Sequence, residues 1–358
     1  MKKMMPLIIR ADANDRIGTG HIMRCIAFGK AWQNRSGHVT FISCCESNNL
    51  KKRIANEGFN FVPIKASWPD PSDLILVLEK LSELKNQASN NVWIVIDGYH
   101  FDTYYQSQIK QAGYCLLTVD DNAHLDYYYA DVVLNQNINA EHLQYKVESN
   151  TRLLLGLRHV LLRSEFLNSA PSKIKIPQVS KRLLVTMGGG DKDNQTLKVI
   201  RAAENAGVDG LEVVVVIGST NPHLQQIQSE CRLADLPVRV VYNAQNMAEL
   251  MSWADFAVSA GGSTCWELAF MGLPALVIIL ADNQQAVAQG LDKAGAAVNL
   301  GWYHALSSRQ IAEALRDIAI SVDKRTEMIR LGRNLIDGRG IERILAAMGQ
   351  NAEFEASV

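Results

Sequence analysis

The sequence predicts an α/β protein of two doubly wound domains facing each other across a cleft. Strand and helix patterns alternate through the first half, as a parallel sheet with helices on both faces requires. A polar, proline-bearing stretch without helical period, LNSAPSKIKIPQVSKR, interrupts the pattern, and the alternation then restarts. The length agrees, because 358 residues are too many for one core and suit two of ordinary size.

The elements follow in order. LIIRAD is an apolar strand, and HIMRCIAFGKAWQNRSG spaces Ile22, Cys25, Ile26, Phe28 and Trp32 as an amphipathic helix ending at Gly37. HVTFISCC, FNFVPIK, NVWIVIDG, CLLTVDD and DVVLNQ read as further strands, with helices from about Asn48, Ser72 and Phe101. The second half gives the strands RLLVTMGGG, LEVVVVIG, VRVVYN, DFAVSAGG and LPALVIIL, with helices from Asn194, Pro222, Met247 and Ser263 and only helices thereafter. The expected boundaries are a first domain over 1–162, a linker over 163–180, a second domain over 181–340 and a terminal helix and tail over 341–358. The sequence leaves open where that helix, GRGIERILAAMG, packs.

Composition narrows the function. A formal net charge of −1 provides no global field to attract nucleic acid or an anionic membrane, so an anionic ligand must be held by local features. The apolar runs are shorter than a membrane span, and MKKMMPLIIRADAND runs into acidic residues, so a cytoplasmic protein is expected. Six cysteines without a CxxC pair read as buried hydrophobes of a reducing compartment; Cys265 is the one weighed as a nucleophile.

Four segments each follow an apolar run and open a helix: ADANDRIGTGHIMR, DGYHFD, MGGGDKDNQT and SAGGSTCWELAFMGLPALVIILADNQ. Ligands of doubly wound sheets bind at such strand ends. Gly188, Gly189, Gly190, Gly261 and Gly262 leave room for close approach, and Ser263 and Thr264 can cap the next helix or donate to a phosphate. No P-loop lysine and no GxGxxG is present, which argues against NTP hydrolysis and a dinucleotide cofactor. Glu267 reads either as a capping-box partner or as an acceptor for two ribose hydroxyls. His21 alone reads as a cap or a base. Asp12, Asp15 and Arg24 read as ordering the first loop, Asp97 as a sugar contact or a turn cap, and His100 as a site or surface residue. Asp191-Lys192-Asp193 fits a metal-binding DxD but reads better as a helix start.

Together IRADANDRIGTGHIMRC, DGYHFD, GGGDKDNQT and SAGGSTCWE…MGLPAL…ADNQ resemble the UDP-2,4-diacetamido-2,4,6-trideoxy-β-L-altropyranose hydrolases of pseudaminic acid biosynthesis, from about residue 7 to about 345. That family is related to the lipid II-forming UDP-GlcNAc glycosyltransferases. The resemblance implies two Rossmann-like domains of the glycosyltransferase-B type, a small-molecule UDP-sugar as partner, no cofactor and no metal. It implies that water replaces UDP on the anomeric carbon, with His21 as general base; an imidazole suits this because its unperturbed pKa lies near neutrality. Tyr99 and Asn283 match positions lining the sugar site, and Gly18 and Gly20 would let the sugar approach. Arg24 and Asp97 are expected at the substrate, and the third and fourth segments, through Gly188, Gly189, Gly261, Gly262, Ser263, Thr264, Glu267 and Gln284, at UDP. The rival readings are a glycosyltransferase of the same fold and a catalytically silent UDP-sugar sensor. Oligomeric state is not legible.

Overall fold

The computed structural model describes residues 5–13, 19–45, 47–87, 92–171 and 174–349. They form two compact units: the described residues up to Arg163 together with those from Arg339 on, and Ser164–Gly338.

The first unit holds β1 (Met5–Ala11), β2 (Gly37–Ser43), β3 (Asn60–Pro63), β4 (Trp93–Asp97), β5 (Cys115–Val119), β6 (Val132–Asn135) and β7 (Arg152–Leu155). They form one parallel sheet in the order β3-β2-β1-β4-β5-β6-β7. The two-residue period of a strand explains the layering. On β1, Leu7, Ile9 and Ala11 pack on one face with Ile22, Ile26 and Trp32 of the helix Gly20–Asn34. Ile8 packs on the other with Val77 and Leu81 of the helix Pro71–Gln87 and Tyr105 and Ile109 of the helix Thr103–Gln111. Arg10 is fully buried, and its charge is met by Asp12 and Asp73. Tyr105 donates to Asp73 Oδ1 at 2.9 Å, so the carboxylates are satisfied as well.

The helix Gly340–Ala347 belongs to this unit. Ile341, Ile344, Leu345 and Met348 join the core around Leu7 and Trp32. A Cβ at Gly340 would stand 2.2 Å from the Val160 carbonyl oxygen, which is why glycine begins this helix.

The second unit holds β8 (Arg182–Thr186), β9 (Glu212–Ile217), β10 (Val238–Tyr242), β11 (Phe256–Ala260), β12 (Ala275–Ile279) and β13 (Val298–Trp302). Its parallel sheet has the order β10-β9-β8-β11-β12-β13. Leu183, Val185, Phe256 and Val258 form its centre with Val199, Ile311 and Leu315 from the helices.

Two strands go beyond the sequence reading. β7 and β13 are edge strands with no fully buried residue; β7 is built on leucines and not on the β-branched residues typical of strands, and β13 breaks its apolar residues with Asn299 and Gly301. The expected linker also contains structure: Ser164–Ser169 is a short helix anchored by buried Phe166. Among the described residues, no helix is long and apolar enough to cross a membrane.

Candidate active site

In each sheet the strand order reverses once, between β1 and β4 in the first unit and between β8 and β11 in the second. A crevice opens at the carboxyl ends of the strands at such a point. The described parts of the four sequence segments follow β1, β4, β8 and β11, and the fourth runs on past β12.

In the first unit, His21 is the second residue of the helix following β1, and Asp97 is the last residue of β4. His21 Nδ1 lies 2.5 Å from Asp97 Oδ1. A carboxylate can only accept, so this contact places the proton on Nδ1 and leaves Nε2 as the basic nitrogen. Arg24 Nη2 lies 3.1 Å from the same Nδ1 and is then a neighbouring donor, not a hydrogen-bond partner. Arg24 also donates to Asp97 Oδ2 through Nε at 2.6 Å and to Oδ1 through Nη2 at 2.7 Å. Burial alone would raise the Asp97 pKa. The Arg24 charge and the His21 contact outweigh it and hold the carboxyl well below the usual range.

Arg24 reaches onward to Asp121, with two bonds of 2.9 Å. The Tyr99 hydroxyl donates to Asp121 Oδ2 at 2.9 Å, and the Tyr99 ring stands edge-on to His21 with centroids 5.1 Å apart. Asn137 Nδ2 donates to Asp121 Oδ1 at 3.0 Å. Asp121 is thus the hub joining β4, β5 and β6, a role the sequence reading did not give it. The signal was the doubled aspartate closing CLLTVDD at a strand end.

This geometry revises several expectations. Asp97 is 0% exposed and its oxygens are taken by His21, Arg24 and Cys25, so it supports the site and offers a sugar nothing. Arg24 is likewise buried between two carboxylates. Tyr99 is 38% exposed and remains a rim residue. Gly20 is exposed as the first residue of its helix, whereas Gly18 and Asp15 lie outside the described residues. Asp12 orders the first loop, accepting from Cys44 N and the Ser67 hydroxyl, each at 2.6 Å. His100 Nε2 lies 3.1 Å from Asp12 Oδ2 without hydrogen-bond alignment.

In the second unit, Gly188 has φ +78°, and a Cβ at Gly188, Gly190 or Gly262 would meet open space. The loop is braced from β9. A Cβ at Gly218 would stand 2.5 Å from the Gly189 oxygen, and Thr220 Oγ1 donates to that oxygen at 2.8 Å. Gly218 carries no motif and was not picked out from sequence.

Across the switch point, the helix Thr264–Met271 starts at Ser263, whose side chain makes no capping bond. The expected cap is therefore absent. With Ser263 as N-cap, the capping-box position is Trp266, so Glu267 lies one residue beyond it, half-buried in the first turn. Gln284 Oε1 accepts from Gly261 N at 3.1 Å and Leu280 N at 3.0 Å. It clamps the glycine loop, and that oxygen is spent on the backbone. Asn283 is exposed on the first turn of the helix Asp282–Lys293.

The DxD reading fails on geometry. Asp191 is buried, and its two oxygens accept from Gln195 N at 2.7 Å and Thr196 N at 2.9 Å, capping the helix Gln195–Glu204. Burial and then the Glu267 charge push the Cys265 thiol up to about 12, which removes it as a nucleophile.

Residues 182–331 match the glycosyltransferase family 28 C-terminal domain. The chain is 28% identical over 229 residues to the Bacillus subtilis spore coat polysaccharide biosynthesis protein SpsG, covering 63% of this chain and 67% of that protein. It is 22% identical over 350 residues to the Helicobacter pylori pseudaminic acid cytidylyltransferase and UDP-2,4-diacetamido-2,4,6-trideoxy-beta-L-altropyranose hydrolase, covering 96% of this chain. The chain spans little more than half of that relative, 56%. The crystal structure of Acinetobacter baumannii MurG matches with a TM-score of 0.66 at 15% identity, over 97% of this chain and 100% of that one. The chain has the glycosyltransferase-B fold, two parallel-sheet α/β domains, and its second half is similar to the family 28 C-terminal domain.

Proposed function

We propose that the protein hydrolyses a UDP-linked 2,4-diacetamido-2,4,6-trideoxyhexose, releasing UDP and the free sugar, as a step of pseudaminic acid biosynthesis. The observation that carries this reading is the His21–Asp97 pair at the first switch point, an imidazole oriented by a buried carboxylate with Nε2 left to take a proton. The alignment over 96% of the chain with a relative whose name includes this hydrolase supports it.

In the reaction, His21 Nε2 takes a proton from water as the water oxygen bonds to the anomeric carbon. The bond from that carbon to the phosphate oxygen breaks, and UDP leaves with the electron pair. UDP is a good leaving group, so placing the water and receiving the diphosphate are the main demands. Tyr99, whose ring stands edge-on to His21, orients the water. The second domain takes UDP through the loops 188–190 and 261–264, whose glycines admit the phosphates and whose helix start presents N–H groups, and Glu267 accepts from the ribose hydroxyls.

Incubation with UDP-sugars in the absence of any acceptor is expected to release UDP and free sugar in equal amounts. The family 28 match equally suits a glycosyltransferase. UDP release that requires an added acceptor would establish that reading and overturn hydrolysis; binding without any turnover would leave a sensor.

Because both Asp191 oxygens are held by a helix start, activity is expected to survive excess EDTA. A loss restored by magnesium would return Asp191 and Asp193 to a metal role. Glu267→Ala is expected to weaken UDP binding in calorimetry by about 1.5 to 3 kcal/mol for each charged hydrogen bond removed, and to weaken 2′-deoxy-UDP less. Equal losses for the two nucleotides would show that Glu267 serves only its own helix.

A further inference from the structure

The mechanism above leaves one built feature of the first unit unused. Asp120, directly after β5, is 2% exposed and accepts from five donors. Asn122 N and Ala123 N donate at 2.8 and 2.6 Å, the Tyr128 and Tyr145 hydroxyls at 2.8 and 3.1 Å, and His124 Nδ1 lies 2.8 Å from Oδ2. Ala123 has φ +51°, a conformation uncommon for a residue with a side chain. This turn brings His124 back onto Asp120 and against Tyr99.

The Tyr99 ring is therefore flanked edge-on by two imidazoles, each paired to an aspartate. His21 stands 5.1 Å away at 84° and His124 6.0 Å away at 88°. With the phenol held by Asp121, Tyr99 is fixed at its hydroxyl and by two edge-on ring contacts.

We propose that His124, anchored on Asp120, is a positioning residue for Tyr99, holding that ring beside His21 where the attacking water must be placed. This rests on the reading of Tyr99 as a sugar-site residue.

The charged groups facing His124 are Asp120 and Asp121 of its own loop, and Tyr99 faces it from the segment after β4; the Tyr128 and Tyr145 hydroxyls donate to Asp120 beside it. The Asp120 hydrogen bond, opposed by burial, raises the His124 pKa above its ordinary 6.5. A raised folded pKa on a base means that the imidazolium contact is complete below about 6.5 and is lost as pH rises through the raised value.

Two measurements test the clamp. In histidine-labelled protein, NMR is expected to show the His124 ring titrating above its ordinary value, with the Tyr99 amide shift following the same midpoint. In steady-state kinetics, His124→Phe keeps a ring but no donor and is expected to lower kcat about tenfold, the scale of one charge-assisted hydrogen bond, with KM little changed. His124→Gln supplies a donor that does not titrate. It is expected to recover most of the activity and to remove the fall in kcat on the alkaline side. A Tyr99 signal indifferent to the His124 titration, or a Phe variant with the wild-type kcat and pH profile, would overturn the assignment. If the wild type turns over no UDP-sugar, the proposed function fails while the NMR result still decides the clamp.

Discussion

His21→Asn is expected to lower turnover by at least about a hundredfold, the lower scale for removing a general base. The substitution is chosen for what it keeps. An asparagine at the start of the helix Gly20–Asn34 still offers an N–H toward Asp97, so the buried Asp97–Arg24–Asp121 chain retains a donor at the same end. It has no nitrogen that can take a proton from water. Because UDP is assigned to the loops of the second domain, its affinity in calorimetry is expected to stay within a few-fold, so the loss appears in kcat and not in binding. Near-normal turnover in a variant that melts like the wild type would remove His21 from the chemistry.

Asp97→Asn is expected to cost both turnover and stability, through one cause. Arg24 would stay buried with one of its two carboxylates neutralised, and removing one partner of a buried ion pair costs about 3 to 5 kcal/mol. The asparagine amide can also turn its NH2 toward His21 Nδ1, which favours the tautomer with the proton on Nε2 and leaves no base facing the water. Turnover is therefore expected to fall about a hundredfold or more even in the folded variant. The stability gap has a pH signature. The Asp97 pKa is depressed on folding, so its contribution is fully present above the ordinary carboxylate value of about 3.9 and is lost as pH falls through the lower folded value. Melting curves of wild type and variant should converge on acidification. A gap that stays constant, or a variant with normal kcat, would show that Asp97 does not act through its charge on His21.

The parts of the fold legible in sequence are those set by local chemistry. Buried parallel strands such as LIIRA and ALVII are apolar runs because both faces are covered, and glycine loops mark the turns into helices. The edge strands β3 and β10 keep enough β-branched and aromatic residues to be legible, whereas β7 is a leucine run and β13 is interrupted by Asn299 and Gly301. In the site, His21 and Tyr99 stand out by their motifs, whereas Asp121 becomes visible only when β4, β5 and β6 lie side by side. Asp97 could be picked out as a strand-end acid, but its role depends on a partner 76 positions earlier, which no local pattern carries. At Asp191 a helix-start carboxylate and a DxD share the same letters, and the helix start, the reading the sequence favours, is what its two accepted backbone bonds show.

The helix Gly340–Ala347 gives the two domains different histories during synthesis. The second is one uninterrupted stretch and has its whole core as soon as residue 338 has emerged from the ribosome. The first, although translated earlier, waits for Ile341, Ile344, Leu345 and Met348, which close the core around Leu7 and Trp32. The half that carries His21 is thus begun before the other and completed after it, and a chain interrupted between Gly338 and Ile341 leaves its older domain with an open hydrophobic face.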